Sequence, residues 1–135
     1  MIGLSELRVA LIGFGNVGQG LAKTLIKKRD TLRHRGINIR VVGVADSKGA
    51  MFDDAGIDLE KVLKLKRERG TVAQNEMSPL DMIEHLREGD VVVDMTPTNI
   101  ENGEPGMTIM TSALDRGMHV VTSNKGPLAL NFQKL

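Results

Sequence analysis

The residues best placed for chemistry begin with Gly13-Phe14-Gly15-Asn16-Val17-Gly18, which follows the apolar run Arg8-Val9-Ala10-Leu11-Ile12. Glycine at the first, third and sixth positions of such a loop serves three separate ends. Gly13 permits a tight turn, Gly15 lets the backbone approach a bound group, and Gly18 lets the following helix pack closely on its strand. The start of that helix offers N–H groups without intrahelical partners and a partial positive charge, which suits a diphosphate. Strand, glycine loop and helix in that order are the context that points to a dinucleotide.

A second element is Asp46, at the end of the next apolar run. A carboxylate there can accept hydrogen bonds from adenosine ribose hydroxyls. It stands 28 positions after Gly18 (46 − 18), more than the roughly 20 usual for this pattern, and the long basic stretch from Lys27 to Arg35 accounts for the excess. Asp46 disfavours a 2′-phosphate by charge, whereas Ser47 and Lys48 favour one, so the balance tips only slightly to NAD over NADP. The third element is a pair of segments, Thr96-Pro97-Thr98 and Thr122-Ser123-Asn124-Lys125-Gly126-Pro127, each directly after an apolar run. Ligands of an open parallel sheet bind beyond the carboxyl ends of its strands, so these hydroxyls, the amide of Asn124 and the ammonium of Lys125 belong at the cleft. His34, His85 and His119 have no matching ligand set and read as structural; no metal site is expected.

Positioning these groups requires a particular order of elements. Strands are expected at Arg8–Ile12, Ile37–Ala45, Val91–Met95 and His119–Thr122. The first helix carries Val17, Leu21, Ala22 and Leu25 as its apolar stripe. Asp58 caps a second helix running to Arg69 and stopped by Gly70; Ser78-Pro79-Leu80-Asp81 starts a third ending near Gly89. A fourth runs through Leu114 to Gly117, and residues after Leu128 open another. Alternation of strands and helices means parallel strands joined by crossovers, an α/β Rossmann-type doubly wound sheet in one domain.

Composition agrees. Apolar residues are 41%, and with three Phe, no Tyr and no Trp the core is aliphatic and a base-stacking platform is disfavoured. A net charge of +1 argues against nucleic acid or an anionic membrane as partner. With no cysteine there is neither a disulfide nor a thiol nucleophile. The residues Met1 to Leu7 have no basic region or long apolar run, so a signal peptide is not expected and the cytoplasm is the default location.

Three stretches carry a resemblance to one family. Asp94-Met95-Thr96-Pro97-Thr98-Asn99, Gly103-Glu104-Pro105-Gly106 and Val120-Val121-Thr122-Ser123-Asn124-Lys125-Gly126-Pro127-Leu128-Ala129 resemble homoserine dehydrogenase, above all its shorter archaeal-type members. The glycine loop and Ala45-Asp46-Ser47 fit the same pattern. The resemblance implies reversible NAD(P)-dependent reduction of aspartate 4-semialdehyde to homoserine, on the route to threonine, methionine and isoleucine. It also implies that Phe14, Asn16, Val17 and Gly18 hold the pyrophosphate and that Thr96 lies against the cofactor. Lys125 would act at the substrate oxygen, as proton relay or electrostatic stabiliser. In that family a second half, absent from residues 1–135, carries the substrate ligands and the homodimer contact, so this chain is expected to bind cofactor without turnover. A nucleotide-sensing regulatory module of a channel or transporter is the alternative from another class, since it needs the glycine loop but neither the Thr-Pro-Thr loop nor the lysine. A third possibility is another small amino-acid or dipicolinate-pathway reductase.

Overall fold

A computed structural model describes residues 5–97 and 101–124. Five strands, β1 (Ser5–Ile12), β2 (Ile37–Asp46), β3 (Gly49–Phe52), β4 (Val91–Asp94) and β5 (His119–Thr122), form one sheet in the order β3-β2-β1-β4-β5. β1 pairs in parallel with β2 on one side and β4 on the other, and β4 pairs in parallel with β5. The chain therefore reverses its direction of winding between β1 and β4, the place where α/β sheets open a crevice.

The four expected parallel strands are all present, and the α/β Rossmann-type class holds. The sheet is nevertheless mixed, because β3 pairs antiparallel with β2 through Asp46↔Gly49 to Gly43↔Phe52. Four residues are too few to register as a periodic pattern, and the turn that makes this hairpin depends on Gly49. Its φ is +153, and a Cβ there would lie 2.8 Å from that of Ala73 and 2.9 Å from the carbonyl of Met77. The edge of β3 is in turn covered by the segment after the second helix, through Gln74 N–H to Ala50 O and Ala50 N–H to Met77 O.

Helices α1 (Asn16–His34), α2 (Leu59–Arg69), α3 (Pro79–Glu84) and α4 (Gly106–Asp115) cover the two faces. Leu11, Val41, Val44, Ala22, Leu59 and Val62 make the core on the α1–α2 side; Ala10, Ile12, Val42, Met82, Ile83, Ile109 and Ala113 make it on the α3–α4 side. Alternating residues of β1 divide between the two cores, as the period of a strand requires. The caps expected at Asp58 and Ser78 are formed, the latter as a full capping box with Asp81, and Gly70 closes α2 in the left-handed region. Two expectations need correction. α3 ends at Glu84 rather than near Gly89, its chain turning at His85 and Leu86 onto Met82 and Ile83 carbonyls. Val17 is 59% exposed and stands outside the apolar stripe, which Gly18, Leu21, Ala22, Leu25 and Ile26 form instead. No described helix is long and apolar enough to cross a membrane.

At the opposite edge from the cleft, Arg8 of β1 donates Nε–H to Asp90, just before β4, at 3.0 Å, and Nη1–H to Asp54. Asp90 is buried and also accepts the Arg87 N–H at 2.8 Å. Replacing Arg8 by Ala strands a buried carboxylate. Chemical denaturation should show a loss of roughly 2–3 kcal/mol; a loss under about 0.5 kcal/mol, the usual range for a surface change, would deny the pair its role.

Candidate cofactor site

The site is built on the C-terminal edge of the sheet. Gly13 turns the chain out of β1 with φ +95, and a Cβ on it would stand 2.6 Å from the Met95 carbonyl of the neighbouring strand end. Gly18 lies in the first turns of α1, where a Cβ would fall 2.2 Å from the Gly13 carbonyl oxygen. Only a helix lacking that atom can sit this close to the loop. Gly15 is different: a Cβ there meets nothing within 4 Å. Its missing side chain leaves open space beside the start of α1. Gly15 is also the residue preceding α1, so no side-chain oxygen caps the helix, and its first turn holds no acid. The N–H groups of that turn are thereby left to an external anion, which fits a diphosphate.

From this loop an open cleft of about 670 Å³ extends across the sheet edge. Gly13, Phe14, Gly15, Asp46, Ser47, Thr96 and Pro97 line it, so seven of the sequence-derived residues meet in one place. Phe14 is buried, and its carbonyl accepts the Gln19 side-chain amide at 3.0 Å, which braces the loop. Asn16 and Val17 are exposed at the mouth of the loop.

Asp46 takes its expected position at the end of β2 but is held from within. Its Oδ1 accepts Lys48 N–H at 2.9 Å and the Thr71 hydroxyl at 3.0 Å; its Oδ2 accepts Lys66 Nζ at 3.0 Å and Val72 N–H at 2.8 Å. A carboxylate has about four lone-pair sites, and all four are used. A ribose hydroxyl reaches this carboxylate only by displacing one of those donors. Lys66, which had no sequence signal to separate it from the other lysines of α2, itself lines the cleft. Its ammonium also cancels the charge by which Asp46 was expected to disfavour a 2′-phosphate. Burial pushes the Asp46 carboxyl up, but the donors from Val72, Lys66, Lys48 and Thr71 outweigh it and hold the group below the usual carboxylate value.

A second buried carboxylate, Asp94, closes β4 in the same manner, accepting at Oδ1 from Thr96 N–H at 3.0 Å and the Thr96 hydroxyl at 2.6 Å. Asn124 Nδ2 donates to Thr96 Oγ1 at 3.0 Å and stands 3.5 Å from Asp94 Oδ2. Asn124 N–H donates to the Thr122 hydroxyl at 2.8 Å, and Ser123 N–H to the Asp94 carbonyl at 3.1 Å. The two strand ends marked in the sequence are thus laced into one unit. Thr96 spends its proton on Asp94 and accepts from Asn124, so its hydroxyl has one orientation. The organiser is Asp94, a residue that the sequence singled out only as part of a motif. Its signal was an acid ending a wholly apolar strand. Ser123 is exposed, and Lys125, Gly126, Pro127, Thr98 and Asn99 lie outside the described residues. Among the described residues no cluster of His, Asp or Glu could hold a metal ion.

The family model described as the NAD-binding domain of homoserine dehydrogenase matches residues 13–135. The chain belongs to the homoserine dehydrogenase family. It is 39% identical over 132 residues to homoserine dehydrogenase of Methanocaldococcus jannaschii, covering 94% of this chain and 39% of that protein. The crystal structure of homoserine dehydrogenase from Thermoplasma acidophilum superposes with a TM-score of 0.80 at 29% identity, covering 96% of this chain and 39% of that one. A hyperthermophilic archaeal homoserine dehydrogenase in complex with NADPH superposes with a TM-score of 0.77 at 26% identity, over 96% of this chain and 39% of that one. The chain spans about two-fifths of the length of these relatives, and the matched part is the dinucleotide-binding domain.

Two glycines of the loop separate folding from binding. Gly18→Ala should cost about 2 kcal/mol or more through its collision with the Gly13 carbonyl. Gly15→Ala should leave stability within about 0.5 kcal/mol and weaken dinucleotide binding by about tenfold, because its methyl fills the space left for the phosphates. Thermal melts and a cofactor titration on both variants check this; equal melting losses would refute the assignment. Asp46 yields a pH prediction. Its folded-state pKa is lowered, so its contribution is complete above the ordinary carboxylate value and lost as the pH falls through the lower folded value. Asp46→Asn should reduce stability at neutral pH and flatten the acid decline below about pH 4 in denaturation curves.

Proposed function

We propose that the chain is the cofactor-binding part of a homoserine dehydrogenase that interconverts aspartate 4-semialdehyde and homoserine. The observation that carries this reading is the junction of Thr96, Asp94 and Asn124 at the ends of β4 and β5, next to a loop whose helix start is left open to an anion. A regulatory nucleotide-sensing module needs the loop but not that junction.

The nicotinamide of a bound NAD or NADP supplies or takes up the hydride. The residues of this chain do the holding. Gly13, Phe14, Gly15, Asn16, Val17 and Gly18 seat the diphosphate at the start of α1. Asp46, Ser47 and Lys66 border the adenosine side, and Lys66 makes NADP as acceptable as NAD there. Thr96 and Pro97 form the wall at the end of β4, buried Asn124 at the end of β5 holds the Thr96 hydroxyl in place, and Ser123 beside it is exposed. Lys125 follows Asn124 in the chain and is the residue assigned to the substrate oxygen. Delivering hydride to an aldehyde builds negative charge on that oxygen, which an ammonium offsets and can finally protonate. Further substrate contacts are expected from the part of the relatives' length that this chain does not span.

The test combines binding and turnover. The 135-residue chain should bind NAD(H) or NADP(H) in a fluorescence titration and should not oxidise homoserine alone. Joined to the remaining part of the enzyme it should do so, with a rate that falls at least about a hundredfold in Lys125→Ala. Unchanged turnover in that variant removes Lys125 from the mechanism. Binding without any turnover in the complete protein favours the sensing module.

A further inference from the structure

The cleft carries a second carboxylate, Glu104, and its acceptor capacity differs sharply from that of Asp46. All four acceptor sites of Asp46 are taken by protein donors. Glu104 uses two: Oε1 accepts the Thr108 hydroxyl at 2.8 Å and Oε2 the Thr108 N–H at 3.2 Å. With about four lone-pair sites on a carboxylate, roughly half of its capacity remains for a ligand. Thr108, in the first turn of α4, anchors the side chain so that it lines the cleft rather than swinging into solvent.

The surroundings define which ligand group meets it. The diphosphate sits at the start of α1, and the ribose next to it lies at the end of β2 beside Asp46 and Ser47. Beyond the ribose the cleft is walled by Pro79, Leu80, Pro97, Pro105 and Ile109. Leu80 is 42% exposed and offers apolar surface to this part of the cleft. A planar base fits between such walls. Glu104, directly before Pro105, is the polar group on that side.

Resting on the cofactor reading above, we infer that Glu104 is a specificity residue that recognises the exocyclic amine of adenine. The amine is a neutral donor. A carboxylate accepts from it and repels the carbonyl lone pairs that a 6-oxopurine presents at the same position. This assigns base discrimination to the Gly103-Glu104-Pro105-Gly106 segment, with Thr108 as the residue that holds the carboxylate in place.

The test titrates the 135-residue chain with NADH and with reduced nicotinamide hypoxanthine dinucleotide, in which a carbonyl replaces the amine. The wild type should bind NADH about tenfold or more tightly than the hypoxanthine analogue. Glu104→Gln, whose amide can donate as well as accept, should bring that ratio close to one while the thermal melt confirms that the variant folds. Thr108→Val, which removes the hydroxyl bond to Oε1 and keeps the backbone N–H bond to Oε2, should narrow the ratio part of the way. Equal binding of both dinucleotides by the wild type, or an unchanged ratio in Glu104→Gln, overturns the assignment and leaves the cofactor site standing. Failure of the wild type to bind either dinucleotide overturns both.

Discussion

Burying a carboxylate at the end of a strand is costly unless hydrogen-bond donors surround it, and this requirement shapes the whole working edge of the sheet. Asp46 closes β2 and Asp94 closes β4. Each accepts the backbone N–H two residues further on, and each then recruits donors from distant chain. Asp46 draws in α2 through Lys66 and the following segment through Thr71 and Val72. Asp94 draws in Thr96 and, from the neighbouring strand end, Asn124. The loops that bound the cleft are therefore positioned by the solvation needs of two charges, and the apolar strands behind them supply the rigid base.

This arrangement separates two kinds of acid in one cleft. Asp46, saturated by four donors, holds the architecture, and an incoming ligand finds little acceptor capacity on it. Glu104, anchored by a single residue, keeps capacity to spare. The same contrast applies to helix starts. α3 is closed by its own capping box, and the first turn of α4 is met by Glu104, whereas α1 begins on a glycine that offers no cap. Among the described helices, α1 is thus the one whose first-turn N–H groups meet no side-chain acceptor, and this is the seat proposed for the diphosphate.

Much of the fold was legible in the residues. The glycine loop, the caps at Asp58 and Ser78, the stop at Gly70 and the four parallel strands rest on local rules, in which a few adjacent residues determine the conformation. The site was legible to the extent that it sits at strand ends, and seven of the residues expected there do line one cleft. The antiparallel β3 was not, because a four-residue strand is stabilised by pairing with β2 and by cover from residues 74–77, neither of which a local pattern contains. Val17 was misassigned for a related reason: spacing identifies a stripe but not where along the helix the sheet stops supporting it.

Taken alone, the sequence determined that a dinucleotide loop exists, which glycine performs which steric task, and which family the strand-end residues resemble. These depend on residue type and short spacing. Only the tertiary structure decided what the carboxylates do. Asp46 and its donor Lys66 are 20 positions apart and Asp94 and Asn124 are 30 apart, so no spacing rule joins them. Whether an acid serves the fold or a ligand depends on how many donors surround it, and that number is set by chain segments brought together only when the sheet and helices pack.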